Sequence, residues 1–194
     1  LCEMVRMGLP VPPGFVITTV TCLDYFKLGN KFPDGLAASM RTSLGQVEDA
    51  MGRRFGSVER PLLVSVRSGA RVSMPGMMDT ILNLGINDAI AQGLAEEMGD
   101  LRPALDAHRR FLQIYADVVL EVDLGVFEEV LTHHKEKSGV TADHQLSSDI
   151  LRDVITDFKS AIRRATGTDI PTDPWYQLLA STEAVFRSWN NPRA

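Results

Sequence analysis

Pro61-Leu-Leu-Val-Ser-Val-Arg-Ser-Gly-Ala-Arg-Val-Ser-Met-Pro-Gly-Met-Met-Asp-Thr-Ile-Leu-Asn-Leu-Gly85 is the stretch on which the reading of this 194-residue chain turns. Behind Pro61, the apolar run from Leu62 to Val66 predicts a short strand, and Thr80 to Leu84 predicts another. Between them lies a connection with an unusual composition. From Ser65 to Thr80 there are two Gly, three Ser, one Thr and two Arg, and neither Lys nor Glu. Arg67 and Arg71 against Asp79 leave this stretch at +1 in a chain whose formal net charge is −5. Such a loop suits an oxyanion. Small residues let backbone N–H groups come close, hydroxyls donate, and an arginine fork holds two phosphate oxygens at once. A strand ending at Arg67 presents that side chain from a rigid edge. The pattern is neither a P-loop nor a Gly-x-Gly-x-x-Gly turn. Asp79 is free to pair with an arginine or cap a turn, and the methionines at 74, 77 and 78 read as packing.

On the N-terminal side, Gly8-Leu-Pro-Val-Pro-Pro-Gly14 is a rigid connector, because each proline fixes φ and removes a donor. Phe15 to Thr19 follows as a predicted buried strand, and Thr19 or Thr21 as the cap of a helix ending at Gly29-Asn30. Leu36, Met40, Leu44, Val47 and Met51 recur at helical spacing within a second helix from Asp34, which Gly52 stops. Beyond Gly85 the pattern becomes helical. Asn87 caps a helix to Met98, and Pro103 opens a longer one with Leu105, Leu112, Tyr115, Val119 and Val122 on one face. Residues 126–137, 147–165 and 173–188 are further helical windows, with 166–174 as a linker. The fold class expected is therefore α/β in the first half, joined to a nearly all-helical second half.

Composition narrows the function. Twenty Lys and Arg against 25 Asp and Glu provide no general field for nucleic acid or anionic lipid. No apolar run approaches the roughly 20 residues that span a bilayer, and no signal peptide pattern is seen, so a cytoplasmic protein is expected. Cys2 and Cys22 lack the spacing of a thiolate metal site and read as reduced thiols. None of His108, His133, His134 or His144 sits in a catalytic or metal-binding pattern. His108 reads as packing or semi-exposed, and His133-His-Lys-Glu-Lys137 as a polar helix end. Glu121, Glu128, Glu129, Lys135 and Lys137 read as solvated faces, with docking of another domain as the sharper alternative.

The 25 residues from Pro61 to Gly85 resemble the hallmark of the N-terminal nucleotide-binding domain of the pyruvate, phosphate dikinases. Glu3-Met-Val-Arg-Met-Gly-Leu-Pro-Val-Pro-Pro-Gly-Phe15, Arg109-Arg-Phe-Leu-Gln-Ile-Tyr115 with Asp117-Val-Val119, and Ala184-Val-Phe-Arg-Ser-Trp-Asn-Asn-Pro-Arg193 are similar to that family in the same order. The pyruvate, water dikinases and phosphoenolpyruvate synthases share the shorter Ser-Val-Arg-Ser pattern without the Met-rich continuation.

The resemblance implies enzymes that interconvert ATP, phosphate and pyruvate with AMP, pyrophosphate and phosphoenolpyruvate, using Mg2+ and an ammonium or potassium ion. A histidine on a swivelling domain carries the phosphoryl group. By the same resemblance Arg67 is the ATP-phosphate arginine, and Ser68, Gly69, Ser73, Gly76 and Thr80 are backbone or hydroxyl donors to the phosphates. Arg71 is either a second clamp or a partner of Asp79. The architecture implied is a partial ATP-grasp-like domain: residues 1–86 in its α/β part, 87–172 an inserted helical subdomain, and 173–194 the return of the chain.

The chain starts at Leu1 rather than Met and reads as one already under way. The family's ATP-binding lysine is expected before Leu1 and its Mg2+ carboxylates after Ala194, which leaves no metal ligand and no catalytic histidine within these residues. On this reading the chain alone is inactive, its parent is a homodimer, and it binds neither nucleic acid nor membrane. The alternatives are a related water-dependent dikinase or a non-catalytic regulatory module of the same fold.

Overall fold

The computed structural model describes residues 2–69 and 80–189. They fall into two compact units that part between Arg53 and Arg54, a boundary that no linker composition marks.

The first unit is helical. After α1 (Cys2–Arg6) the proline-rich connector leads to α2 (Thr19–Lys27) and α3 (Leu36–Met51). Phe15 to Thr19 does not form the buried strand that its β-branched content predicts. No strand is assigned there, and Phe15 and Val16 are 37% and 77% exposed. A strand needs a ladder partner, and every regular element described in this unit is a helix. Thr18, rather than Thr19 or Thr21, caps α2, its side chain accepting from the Thr21 N–H. The α3 stripe buries Met40, Leu44 and Val47, while Met51 at its end stays exposed. Gly52 ends the helix in the left-handed conformation.

The second unit begins with a two-residue strand, β1 (Arg54–Phe55), paired in parallel with β2 (Pro61–Leu62). The apolar run from Leu62 to Val66 is thus divided at Leu63: β2 joins β1, whereas β3 (Val64–Arg67) pairs antiparallel with β4 (Thr80–Leu84). Opposite Val64 and Val66 stand Leu84 and Ile81, so β4 carries one residue more than β3 over this interval. Asn83 takes up the extra residue at φ 57°, a local bulge of the kind that bends a strand and increases its twist. Its side-chain amide donates to the Ala107 carbonyl oxygen at 3.1 Å.

Five helices follow: α4 (Asp88–Met98), α5 (Leu101–Val118), α6 (Leu124–Ser138), α7 (Ser148–Thr166) and α8 (Pro174–Ser188). Their starts are chemical. Asn87, Asp100, Asp123, Ser147 and Asp173 each accept a backbone N–H with the side chain. α5 is the axis of the unit and packs on α4, α7 and β4, while α6 packs on α7 and α8 on β3 and β4. Phe111, Leu112 and Tyr115 of α5 join Phe127, Leu151, Val154 and Phe158 in a closed core. Phe127 and Phe158 meet edge to face at 4.8 Å. Gly93 lets α4 approach the β1–β2 loop, since a Cβ there would lie 2.1 Å from the Val58 carbonyl oxygen. No helix among the described residues is long and apolar enough to cross a membrane.

Candidate functional site

The β3–β4 hairpin has two unlike ends. At the Val64–Leu84 end it is clamped. Gln177 of α8 is 1% exposed; its side-chain oxygen accepts the Gly85 N–H at 3.1 Å, and its amide donates to the Ile86 and Pro171 carbonyls at 3.2 and 2.8 Å. Gly85 sits at φ 96°, with the Phe55 ring where a Cβ would be, so the turn out of β4 admits no other side chain without a shift. The Asn83 bond to α5 adds a further tie.

At the other end stand Arg67 and Thr80, directly opposite one another in the ladder and both exposed. Alternation along β3 puts Val64 and Val66 half-buried on one face and Ser65 and Arg67 outward. Arg67 has no carboxylate partner among the described residues. It is exposed at the end of a strand whose far end is held by buried hydrogen bonds. Ser68 is half-buried and already has an interaction partner. Gly69 is exposed, has no positive φ and has open space around its Cβ position, so the backbone there imposes no requirement for glycine. Arg71, Ser73 and Gly76 lie outside the described residues, as does Asp79, the alternative partner for Arg71.

Several titratable groups of the helical part are engaged structurally. His108 is buried on α5, its Nδ1 3.7 Å from an Asp88 oxygen, and Lys159 holds both Asp88 oxygens at 2.6 Å. Burial first, and then Lys159, push the imidazole down to about 4 against the opposing pull of Asp88. His134 is not the polar helix end expected of it. It faces α7, its Nε2 2.8 Å from Asp157. Phe127, Leu131 and His134 fall on one stripe of α6, a helical spacing that could have revealed the burial. Arg109 is buried against Asp106, Gln113 and Asp143. Lys135 pairs with Asp143, and that hydrogen bond, together with the charges of Arg109 and Arg110, holds the Asp143 carboxyl below the usual range. Lys135 is accordingly not a solvated side chain, whereas Glu121, Glu128, Glu129 and Lys137 are exposed. Gln177 had no signal of its own; its position among Leu178, Ser181 and Thr182 on the buried face of α8 emerges only in the structure. Among the described residues no group of three or more His, Cys, Asp or Glu is arranged to hold a metal ion.

The described residues thus set an exposed arginine, with no carboxylate partner among them, at the end of a hairpin whose other end is clamped. The family model described as pyruvate phosphate dikinase, AMP/ATP-binding domain, matches residues 28–194, and this chain belongs to that family. Over all 194 residues it is 50% identical to the pyruvate, phosphate dikinase of Rhizobium meliloti (strain 1021), of which it covers 22%. Identity is 45% to the enzyme of that name from Clostridium symbiosum, 22% covered, and 46% to the chloroplastic pyruvate, phosphate dikinase 1 of Zea mays, 20% covered. The chain thus spans about one fifth of the length of these relatives.

Proposed function

We propose that this chain is the nucleotide-binding portion of a pyruvate, phosphate dikinase, and that Arg67 grips the phosphates of ATP. The observation that carries the reading is the exposed guanidinium of Arg67, opposite Thr80 and with no carboxylate partner among the described residues. Phosphoryl transfer asks the protein chiefly to position oxygens and neutralise charge, and an arginine fork does both. Thr80 contributes a hydroxyl donor, while Ser68 and Gly69 supply the backbone that approaches the phosphates. Arg71, Ser73 and Gly76 complete the loop.

Arg67, Ser68, Gly69 and Thr80 suit phosphate oxygens and not a magnesium ion, because no carboxylate is among them. Mg2+ and the ammonium or potassium ion would be held by parts of the parent outside these residues. The wider reading is an ATP-grasp-like domain formed by residues 1–86 and 173–194, with 87–172 inserted. The packing of α8 on β3 and β4 supports a return of the chain near residue 173. The parent, a cytoplasmic homodimer, would pass the phosphoryl group to a histidine on a swivelling domain, with phosphate as second acceptor and pyrophosphate as product. The relatives' shared name favours phosphate over water in that role. This portion alone would bind nucleotide without turnover.

The test is Arg67→Ala in the full-length protein. Nucleotide-dependent phosphorylation should slow by about 10²–10³, the loss of roughly 2 to 4 kcal/mol of transition-state stabilisation. An unchanged rate refutes the role given to Arg67.

A further inference from the structure

We infer that Asn83 is a positioning residue for nucleotide binding: by holding the bulge in β4 it brings Thr80, rather than Ile81, opposite Arg67. This rests on the phosphate-binding reading of Arg67.

The strand register carries the inference. Ile81 and Leu84 are both 0% exposed, yet they stand three residues apart, and in a regular strand such residues point to opposite faces. The extra residue between the Val64–Leu84 and Val66–Ile81 pairs resolves the conflict. Without it, β4 continuing from the Val64–Leu84 pair would set Leu82 opposite Val66 and Ile81 opposite Arg67, with Thr80 on the same face as buried Leu84. With it, Ile81 pairs with half-buried Val66, and Thr80 is exposed opposite Arg67. Asn83 makes the bulge hold. Its φ of 57° lies in the left-handed region, where asparagine is enriched and a β-branched residue is an outlier. Its amide ties that backbone to the Ala107 carbonyl oxygen of α5 at 3.1 Å, and its own carbonyl oxygen accepts the Ile86 N–H at 3.4 Å.

The consequence for binding is chemical. Residues directly opposite one another in an antiparallel pair have Cβ atoms about 4.5–5.5 Å apart, on the same face of the sheet. One phosphate group can therefore take both the arginine fork and the threonine O–H. An isoleucine in the place of Thr80 offers no donor and sets an apolar side chain against the guanidinium. The bulge thus meets two demands at once: it buries Ile81 together with Leu84, and it leaves a hydroxyl as the cross-strand neighbour of Arg67. Bulges commonly re-aim side chains beside functional sites in this way.

The full-length protein should be titrated calorimetrically with ATP as wild type, R67A, T80V, N83G, N83V and T80V/N83V, alongside thermal unfolding. Valine resists the left-handed conformation, so N83V should weaken ATP binding about tenfold, as should T80V, which removes the hydroxyl. Glycine accepts that conformation and lacks only the amide, so N83G should stay within about threefold of wild type. Because Asn83 acts through Thr80, T80V/N83V should bind ATP within about twofold of N83V alone. Should N83V unfold at lower temperature, the double variant decides, since general damage to the fold multiplies the loss from T80V and misplacement of the hydroxyl does not. Where N83V does not fold, N83A against N83G makes the same comparison. If the two losses multiply, or if N83G binds as weakly as N83V, the role of Asn83 fails. If R67A weakens ATP binding while T80V and N83V do not, the role of Asn83 fails and that of Arg67 stands. Unchanged ATP affinity in R67A overturns the phosphate-binding reading beneath both.

Discussion

The two units of this chain solve the burial problem differently. Among the described residues, the unit up to Arg53 buries Cys22, Tyr25, Met40, Leu44 and Val47 but leaves ten large apolar side chains exposed, among them Met7, Val16, Val20 and Leu23. From Arg54 onward only four are exposed among the described residues, against a core that runs from Leu62 to Phe186. Three helices in about fifty residues cannot enclose a core of the size that a hairpin and five helices around α5 can. Arg67, the candidate phosphate-binding residue, lies on the unit with the larger core.

The sharpest way to break this contrast is to excavate each unit. Phe158→Ala, which removes a fully buried ring from between α6 and α7, should cost about 3–5 kcal/mol in urea denaturation. Val16→Ala should stay within about 0.5 kcal/mol. Comparable losses would show that the first unit has a core of its own.

Glycines give the next comparison. Gly93→Ala drives a methyl group into the Val58 carbonyl and should destabilise by about 1–3 kcal/mol. The third contrast is in pH. All four histidines lie in the second unit, and His108 is depressed to about 4 in the folded state from 6.5. Between those values the unfolded chain binds the proton and the folded one does not. The contribution of His108 is therefore complete above about 6.5 and is lost as pH falls toward 4, with a slope of at most about 1.4 kcal/mol per pH unit. His108→Gln should flatten that slope in denaturation midpoints measured across the range; an unaltered slope would assign it to other groups. The smallest effect belongs to Gly45→Ala. It has open space on α3 and should stabilise the first unit by about 0.5–1 kcal/mol, read as a higher urea midpoint.

Local chemistry was legible in advance where a single residue carries it. Asn87, Ser147 and Asp173 start their helices because a side-chain oxygen within reach of a free N–H needs no distant partner, and Gly52 ends α3 for an equally local reason. Thr80 to Leu84 is the strand its composition predicts. Arg67 ends β3, as its place after the apolar run predicts.

Where a second segment decides, the sequence was silent or misleading. Phe15 to Thr19 has strand composition without a ladder partner. Leu63 separates two ladders that a continuous apolar run conceals. His134 and Gln177 look polar on paper and are buried because α7 and the β4 turn supply their hydrogen bonds. What the sequence by itself determined was therefore most of the helices with several of their caps, the β4 strand and the family, all encoded within a turn or a motif. Only the tertiary structure decided which end of the hairpin is clamped, because that depends on Gln177, more than ninety residues from Gly85, folding back onto the end away from Arg67.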